Sequence, residues 1–183
     1  FSNNHRVMAY GNSTTANRWA MLIHVAAGTD TMQANLRSDV SQIAATTTNT
    51  HGSSTWGTVV GIFEATVVTA ILDGDWANRG VSTSHSEAFP TIDRFNLGAL
   101  NYGGTYNQPY DGDIADAFVL DFVPSQQSLE SFHDGVSPAL LWKNDQIVKY
   151  HPLVRNVADQ MYGDTLTDVN GTTYAQSESV IFP

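Results

Sequence analysis

Hydrophobic and polar positions alternate along much of this chain, and the alternation predicts β-strands. The clearest segment runs from Tyr110 to Pro124, where Phe118, Leu120 and Phe122 fall on every second position. A period of two that carries aromatic and β-branched residues is typical of a strand. Because alanine and valine occupy the alternate positions, we expect a central strand that is covered on both faces.

The same criteria predict two further pairs of strands. Residues 16–27 alternate, as do residues 32–36, and the Gly28-Thr29-Asp30 turn between them predicts an antiparallel hairpin. Residues 55–64 and 67–72 form a second pair. Between the pairs, residues 46–55 are rich in Thr, Asn, Ser and Gly, which predicts an exposed loop.

One short helix is predicted near residues 126–134. Ser125 stands where an N-cap belongs, Leu129 and Phe132 form an apolar pair at i and i+3, and Gly135 follows as a C-terminal glycine. A helix of two turns is not stable alone, so it must dock on the rest of the protein. The fold class predicted from these elements is all-β, with antiparallel strands.

The order of several motifs resembles that of a laminin-G-like domain of the bacterial and bacteriophage type. Trp56 precedes a strand, Asp73-Gly74 ends the partner strand, and Phe95 and Leu97 lie in a short strand before Gly98. Asp-Gly-Asp-Ile-Ala-Asp then leads into the alternating strand and the short helix. Such domains belong to the concanavalin A-like lectin and glucanase superfamily. The resemblance implies a two-sheet jelly-roll β-sandwich, in which Trp56 fills the space between the sheets.

The resemblance also implies how the chain is organised. Residues 1–183 are expected to form a single laminin-G-like domain that lacks the first strand or strands of its relatives. Those strands would be cleaved, disordered or supplied by another chain. Because missing strands expose sheet edges, which proteins normally cover, we expect association into a homo-oligomer or a larger assembly.

Composition and charge exclude several classes of function. With 42% hydrophobic residues among 183, the chain can build a real core. The net charge of −10 argues against a nucleic-acid partner, because phosphates would be repelled. Without cysteine there is no disulfide, thiolate metal site or cysteine nucleophile. No apolar run approaches the ~20 residues that span a membrane, so membrane insertion is not expected.

Catalytic motifs are missing as well. Catalytic glucanases of the superfamily carry two acidic residues in a Glu-x-Asp-x-x-Glu pattern on one strand, and this pattern is absent here. Asp116 and Asp121 are five residues apart on the predicted strand, so they should point to opposite faces. The chain is therefore predicted not to be an enzyme, and a polysaccharide hydrolase or lyase remains only an alternative.

Calcium is the one metal that the sequence leaves open. Asp73 and Asp75 flank one glycine and Asp111 and Asp113 flank another, so each pair places two carboxylates in a turn. Carboxylate and carbonyl oxygens are the ligands that calcium prefers. Asp-Gly is also the commonest turn chemistry, and plain turns are the competing interpretation.

A tyrosine-rich loop is the best candidate for binding. Tyrosine combines an apolar face with a polar tip, which suits stacking on a sugar ring and hydrogen bonding to its hydroxyls. The candidate contacts are Tyr102, Tyr106, Asn107 and Tyr110, together with Trp76 and Asn78. Alternatively, the tyrosines fold over the rim of the sandwich or pack on a neighbouring subunit.

The sequence therefore predicts a non-catalytic recognition or structural module at a virion surface or in an extracellular setting. The first hypothesis is carbohydrate binding, with a glycan as partner. The second is a structural subunit of a bacteriophage particle or fibre, such as a capsid decoration or tail protein, with protein subunits as partners.

Overall fold

The computed structural model describes residues 4–25, 30–52, 55–85, 88–102, 105–107, 110 and 112–151, with the backbone alone at residues 4, 101, 102 and 105–107. The chain divides into two compact units, Phe1–Gly112 and Asp113–Pro183.

Antiparallel strands build the described part of the first unit. They are β1 (Asn4–Gly11), β2 (Arg18–Val25), β3 (Thr31–Ser38), β4 (Ser41–Thr46), β5 (Val59–Phe63), β6 (Val68–Leu72), β7 (Gly80–Ser82), β8 (Arg94–Leu97), β9 (Leu100–Tyr102) and β10 (Thr105–Asn107). A five-stranded sheet has the order β4-β3-β2-β1-β8, and a three-stranded sheet has the order β5-β6-β7. Strands β9 and β10 form a separate hairpin.

The two sheets enclose one hydrophobic core. Alternate residues of β2, β3 and β4 turn inward, as the period of two requires, and meet residues of β6. The buried residues of this core are Ala20, Leu22, Ala34, Leu36, Ile43, Ala45, Val68 and Ala70. Small and branched aliphatic side chains therefore fill the space between the sheets.

The opposite face of the five-stranded sheet is also apolar. Ala9, Trp19, Met21 and Ile23 are buried there together with Leu100 of β9. The β9-β10 hairpin therefore lies on the face turned away from the three-stranded sheet. Burial on both faces explains why the apolar residues of β2 run almost without a break.

At one edge of the sandwich, β7 lies close to β4. A Cβ atom added at Gly80 would collide with the backbone of Thr46, including its carbonyl oxygen. Glycine is therefore the residue that allows the two strands to approach this closely.

The second unit contains one strand pair and short helices. Its elements are β11 (Ala117–Leu120), α1 (Gln126–His133), α2 (Pro138–Leu141), a 3-10 helix (Asn144–Gln146) and β12 (Ile147–His151). Phe118 on β11 makes an edge-to-face contact with Phe132 of α1 at 4.9 Å, and its ring lies 5.0 Å from that of Trp142. Leu129 is fully buried.

The predicted fold class is confirmed: the protein is an antiparallel β-sandwich, and the short helix predicted near residues 126–134 is α1. Ser125 is the N-cap, with its Oγ accepting from the Ser128 N–H at 3.2 Å, and Gly135 has φ 93°. The predicted hairpin is confirmed as β2 and β3, in register from Arg18↔Ser38 to Val25↔Thr31.

The expected central strand is not seen within the described residues, where β11 pairs with β12 in a two-stranded sheet. The expectation for Trp56 was wrong. Trp56 is 66% exposed and precedes β5, because aliphatic side chains already fill the space between the sheets. The single-domain organisation, the missing first strand and the oligomer stay predictions.

Candidate functional site

Two loops at one end of the sandwich are tied together by hydrogen bonds. The described residues of 47–58, between β4 and β5, and of 73–79, between β6 and β7, are called the loop pair here. The backbone N–H of Thr48 donates to the carbonyl of Asn78 at 3.1 Å, and the Thr48 hydroxyl donates to Asn78 Oδ1 at 3.1 Å. The side chain of Asn49 also donates to the carbonyl of Leu72 at 3.3 Å. These bonds make one surface from two loops.

Trp56 stands on this loop pair with its neighbours fixed on both sides. On one side, His51 Nε2 lies 2.9 Å from the Thr55 carbonyl oxygen. On the other, the backbone N–H of Thr58 donates to Asp73 Oδ1 at 3.0 Å. Gly57 sits so close to the His51 ring that an added Cβ would lie 2.5 Å from its Cε1. The backbone on both sides of Trp56 is therefore tied to side chains of the loop pair.

Trp76 and Asn78, predicted as contacts, belong to the same loop pair. Trp76 is half-buried, with the Arg79 guanidinium 4.9 Å from the centre of its ring, a cation–π arrangement. Arg79 also donates to the Trp76 carbonyl at 2.7 Å. Asn78 is exposed, and its amide donates to Asp75 Oδ2 at 2.7 Å. The structure thus brings Trp76 and Asn78 together.

Tyr110 lies beside a histidine pair that borders the loop pair, because the backbone N–H of His51 donates to the Asp30 carbonyl at 2.7 Å. The rings of His5 on β1 and His24 on β2 stack at 6.3 Å, and Tyr110 meets His5 edge-on at 6.5 Å. His24 Nε2 lies 3.6 Å from Asp30 Oδ1. Burial lowers the pKa of His24, and the nearby imidazoles of His5 and His51 lower it further, whereas Asp30 acts in the opposite direction. The imidazole of His24 is thereby favoured in its neutral form.

The remaining predicted contacts lie in the β9-β10 hairpin. In its register, Tyr102 is opposite Thr105, Tyr106 is opposite Asn101, and Asn107 is opposite Leu100. The six predicted contacts therefore fall in three places: the hairpin, the histidine pair and the loop pair. Their role in binding stays a prediction.

The carboxylates of the acidic turn at Asp73 and Asp75 accept hydrogen bonds from other groups of the protein. Both carboxylate oxygens of Asp75 accept from Asn78, which lowers the pKa of Asp75. Asp73 and Gly74 have φ of 55° and 66°, as a tight turn requires. Across the described ranges, no group of three or more His, Cys, Asp or Glu is placed to hold a metal. Asp113 is exposed and Asp111 lies outside those ranges, so calcium stays a prediction.

Sequence patterns did not point to two of these features. The histidine pair arises from the pairing of β1 with β2, which aligns His5 with His24, and β1 was not predicted as a strand. The family resemblance places Trp56 in the core, although the polar loop preceding it indicates exposure. Among the described helices, none is both long and apolar enough to cross a membrane.

No protein-family model matches this chain, and no curated protein matches it in sequence. Among solved structures, the chain is similar to the Ruminococcus gnavus IT-sialidase CBM40 bound to α2,3-sialyllactose, with a TM-score of 0.52 and 19% identity over 73% of this chain and 76% of the other. This likeness shows the β-sandwich fold.

Two other solved structures are less similar. A second structure of the same Ruminococcus gnavus module has a TM-score of 0.49 at 16% identity, over 73% of this chain and 76% of the other. An S-layer domain-containing protein from Clostridium thermocellum has a TM-score of 0.40 at 14% identity, over 73% of this chain and 64% of the other.

Proposed function

We propose that this chain is a non-catalytic carbohydrate-binding module. The observation that carries the proposal is its β-sandwich fold, shared at a TM-score of 0.52 with a sialidase module that is bound to sialyllactose. Because a sandwich hosts many functions, the proposal also needs a site. Support for one comes from an exposed indole and from loops rich in amides and hydroxyls at one end of the sandwich.

The proposed contacts in the tyrosine hairpin are Tyr102, Tyr106 and Asn107, with Tyr110 beside them in the sequence. Trp76 and Asn78 are proposed contacts on the loop pair. Absence of the Glu-x-Asp-x-x-Glu motif supports a module that binds its glycan without cleaving it. The order of the laminin-G-like motifs supports a setting at a virion surface or outside the cell.

A structural subunit of a particle or fibre is the second candidate. Leu140, on α2 in the second unit, is 82% exposed. Covering this side chain with a neighbouring subunit would remove its apolar surface from water, which is favourable. This candidate predicts a homo-oligomer in which Leu140 is protected from solvent, and Leu140→Ser would weaken the association.

A glycan array that contains neutral and sialylated oligosaccharides tests the proposed function, followed by calorimetric titration of the best ligand. Tyr106→Ala should weaken binding with an unchanged circular dichroism spectrum. Tyr106→Phe is the matched variant, because it keeps the ring and removes only the hydroxyl. The absence of any glycan binding, or cleavage of a polysaccharide by the pure protein, would overturn the proposal.

A further inference from the structure

We propose that the indole of Trp56 is a stacking platform for a neutral sugar, and that the loop pair is a carbohydrate site separate from the tyrosine hairpin. The inference rests on the proposed function and deepens it, because it gives the site a place and its ligand a chemical class. It starts from the 66% exposure of Trp56.

Trp56 is conspicuous for its size and its surroundings. The other three tryptophans are buried or half-buried, with Trp19 and Trp142 each only 6% exposed. Of the exposed large hydrophobic side chains in the described part of the chain, Trp56 alone belongs to the loop pair. A single exposed indole fits one sugar ring better than it fits a protein interface, which needs a contiguous apolar patch.

The platform is built before any ligand arrives. Gly57 packs against the ring of His51 and the carboxylate of Asp73, so a larger residue would force one of these two side chains to shift. The Thr58 N–H bond to Asp73 fixes the backbone on the far side of the glycine. A rigid aromatic side chain loses little conformational entropy on binding, so preorganisation of this kind favours affinity.

The polar and charged groups of the loop pair decide the class of sugar. Thr48, Thr50 and Asn78 are exposed on the loop pair, and their hydroxyl and amide groups can bond sugar hydroxyls. On the described part of the loop pair, the carboxylates of Asp73 and Asp75 outnumber the guanidinium of Arg79, which lies over the Trp76 ring. A carboxylate on the sugar would meet this negative potential, so the ligand is a neutral oligosaccharide.

The test measures affinity for a panel of neutral gluco-, manno- and galacto-oligosaccharides, with sialyllactose as the anionic probe. Trp56→Ala should weaken binding of the best neutral sugar about tenfold, the usual value of one aromatic stacking contact. Trp56→Phe, which keeps a smaller ring, should weaken it less. Val81→Ala removes another exposed apolar side chain, outside the loop pair, and should leave affinity unchanged.

Tryptophan fluorescence gives an independent measurement. In the free chain acrylamide should quench Trp56, identified as the emission lost in Trp56→Phe, and the neutral sugar should protect it. Protection of Trp56 without sugar would overturn the inference, because another part of the chain or a second copy would then cover the platform. Stronger protection of Trp56 by sialyllactose than by the neutral sugars would also overturn the inference.

The outcomes separate the inference from the proposed function. If the protein binds a glycan and Trp56→Ala binds it with unchanged affinity, the inference is wrong and the carbohydrate-binding function stands. If only Tyr106→Ala loses binding, the site is the hairpin and the inference is again wrong. If no glycan on the panel or the array binds, the inference and the proposed carbohydrate-binding function are both wrong.

Discussion

The hydroxyl of Tyr150, on β12, donates a hydrogen bond at 2.9 Å to Oδ1 of Asp116, which directly precedes β11. Asp116 has φ 49°, in the left-handed region that few residues other than glycine, asparagine and aspartate adopt. Burial raises the pKa of Asp116, and the bond from Tyr150 only partly offsets this. The hydrogen bond therefore holds Asp116 in a backbone conformation that few residues adopt. Burial at the same time disfavours the charged form of its carboxylate.

Asp116→Asn is expected to melt no lower than the natural protein at pH 7. Asparagine tolerates the same φ, keeps an oxygen that accepts from Tyr150 and removes a half-buried charge. Because the folded pKa of Asp116 is raised, the fold loses stability as pH rises through that pKa, and the variant does not.

Thermal melting at pH 7 and pH 3 measures the difference in stability between Asp116→Asn and the natural protein. This difference should vanish at pH 3. Asp116→Ala is the contrast, because it removes the acceptor and strains the backbone at a cost of about 1–2 kcal/mol. A lower melting temperature for Asp116→Asn than for the natural protein at pH 7 contradicts the prediction.

Alkaline unfolding should depend on Tyr150. Burial, with Asp116 beside it, raises the pKa of Tyr150 to about 12. Its contribution to stability is therefore complete below the ordinary tyrosine pKa of about 10 and is lost as pH rises toward 12. Tyr150→Phe should lack this component of the pH dependence. Equal slopes of unfolding free energy against pH, for variant and natural protein, would show that Tyr150 is not responsible.

Acid should destabilise the first unit through His24. Its pKa is lowered, chiefly by burial, so the unfolded chain binds a proton that the folded chain resists. The stabilising contribution is present above pH 6.5, the ordinary value, and is lost as pH falls through the lower folded pKa.

Urea unfolding between pH 7.5 and pH 5 measures the His24 effect. His24→Gln, which cannot gain the charge, should lose less stability over this range. His133→Gln, at an exposed position in the second unit, should lose as much as the natural protein. An equal loss in His24→Gln and the natural protein would contradict the assignment.

Ser125→Ala should destabilise the second unit by about 1 kcal/mol, the usual effect of removing an N-cap. The Ser125 oxygen accepts from the Ser128 N–H, and alanine leaves that donor to water. Ser131→Ala, inside α1, is the matched control, because alanine is the better helix former there. Chemical unfolding followed by Trp142 fluorescence compares the two variants, and equal stability would argue against the cap.

Gly80→Ala should destabilise the first unit by about 1–3 kcal/mol, as overpacking does in well-packed interiors. Its methyl group would collide with the Thr46 backbone, which cannot move without displacing β4. Gly52→Ala is the control, because the nearest atom to its Cβ is the Thr55 hydroxyl oxygen at 3.5 Å, an ordinary contact. Similar melting temperatures for the two variants would contradict the close approach of β7 to β4.

Local sequence signals predicted the elements that local interactions determine. The period of two in residues 18–25 and the cap at Ser125 depend on near neighbours, and the structure has both. The prediction of a core position for Trp56 is wrong because a tryptophan beside a strand suits a core or a surface equally. Trp56 lies at the surface because the space between the sheets is already filled by residues such as Leu36 and Val68, which come from distant strands.

The candidate site was harder to predict than the fold for the same reason. Asn78 and Thr48 are thirty residues apart, and only the pairing of sheets brings their loops together. His5 and His24 meet because β1 pairs with β2 in one particular register. Sequence spacing suggested which residue types could bind a sugar, whereas their grouping depends on long-range topology.

The position of β1 in the five-stranded sheet has a consequence for folding kinetics. One of its neighbours, β2, follows it within a few residues, whereas the other, β8, lies more than eighty residues further along the chain. During synthesis, β1 to β4 can assemble as a meander before β8 has been made. The other edge of β1 stays unpaired until β8 is available. Such non-local pairing raises the contact order and slows folding, so the docking of β8 is a natural late step in maturation.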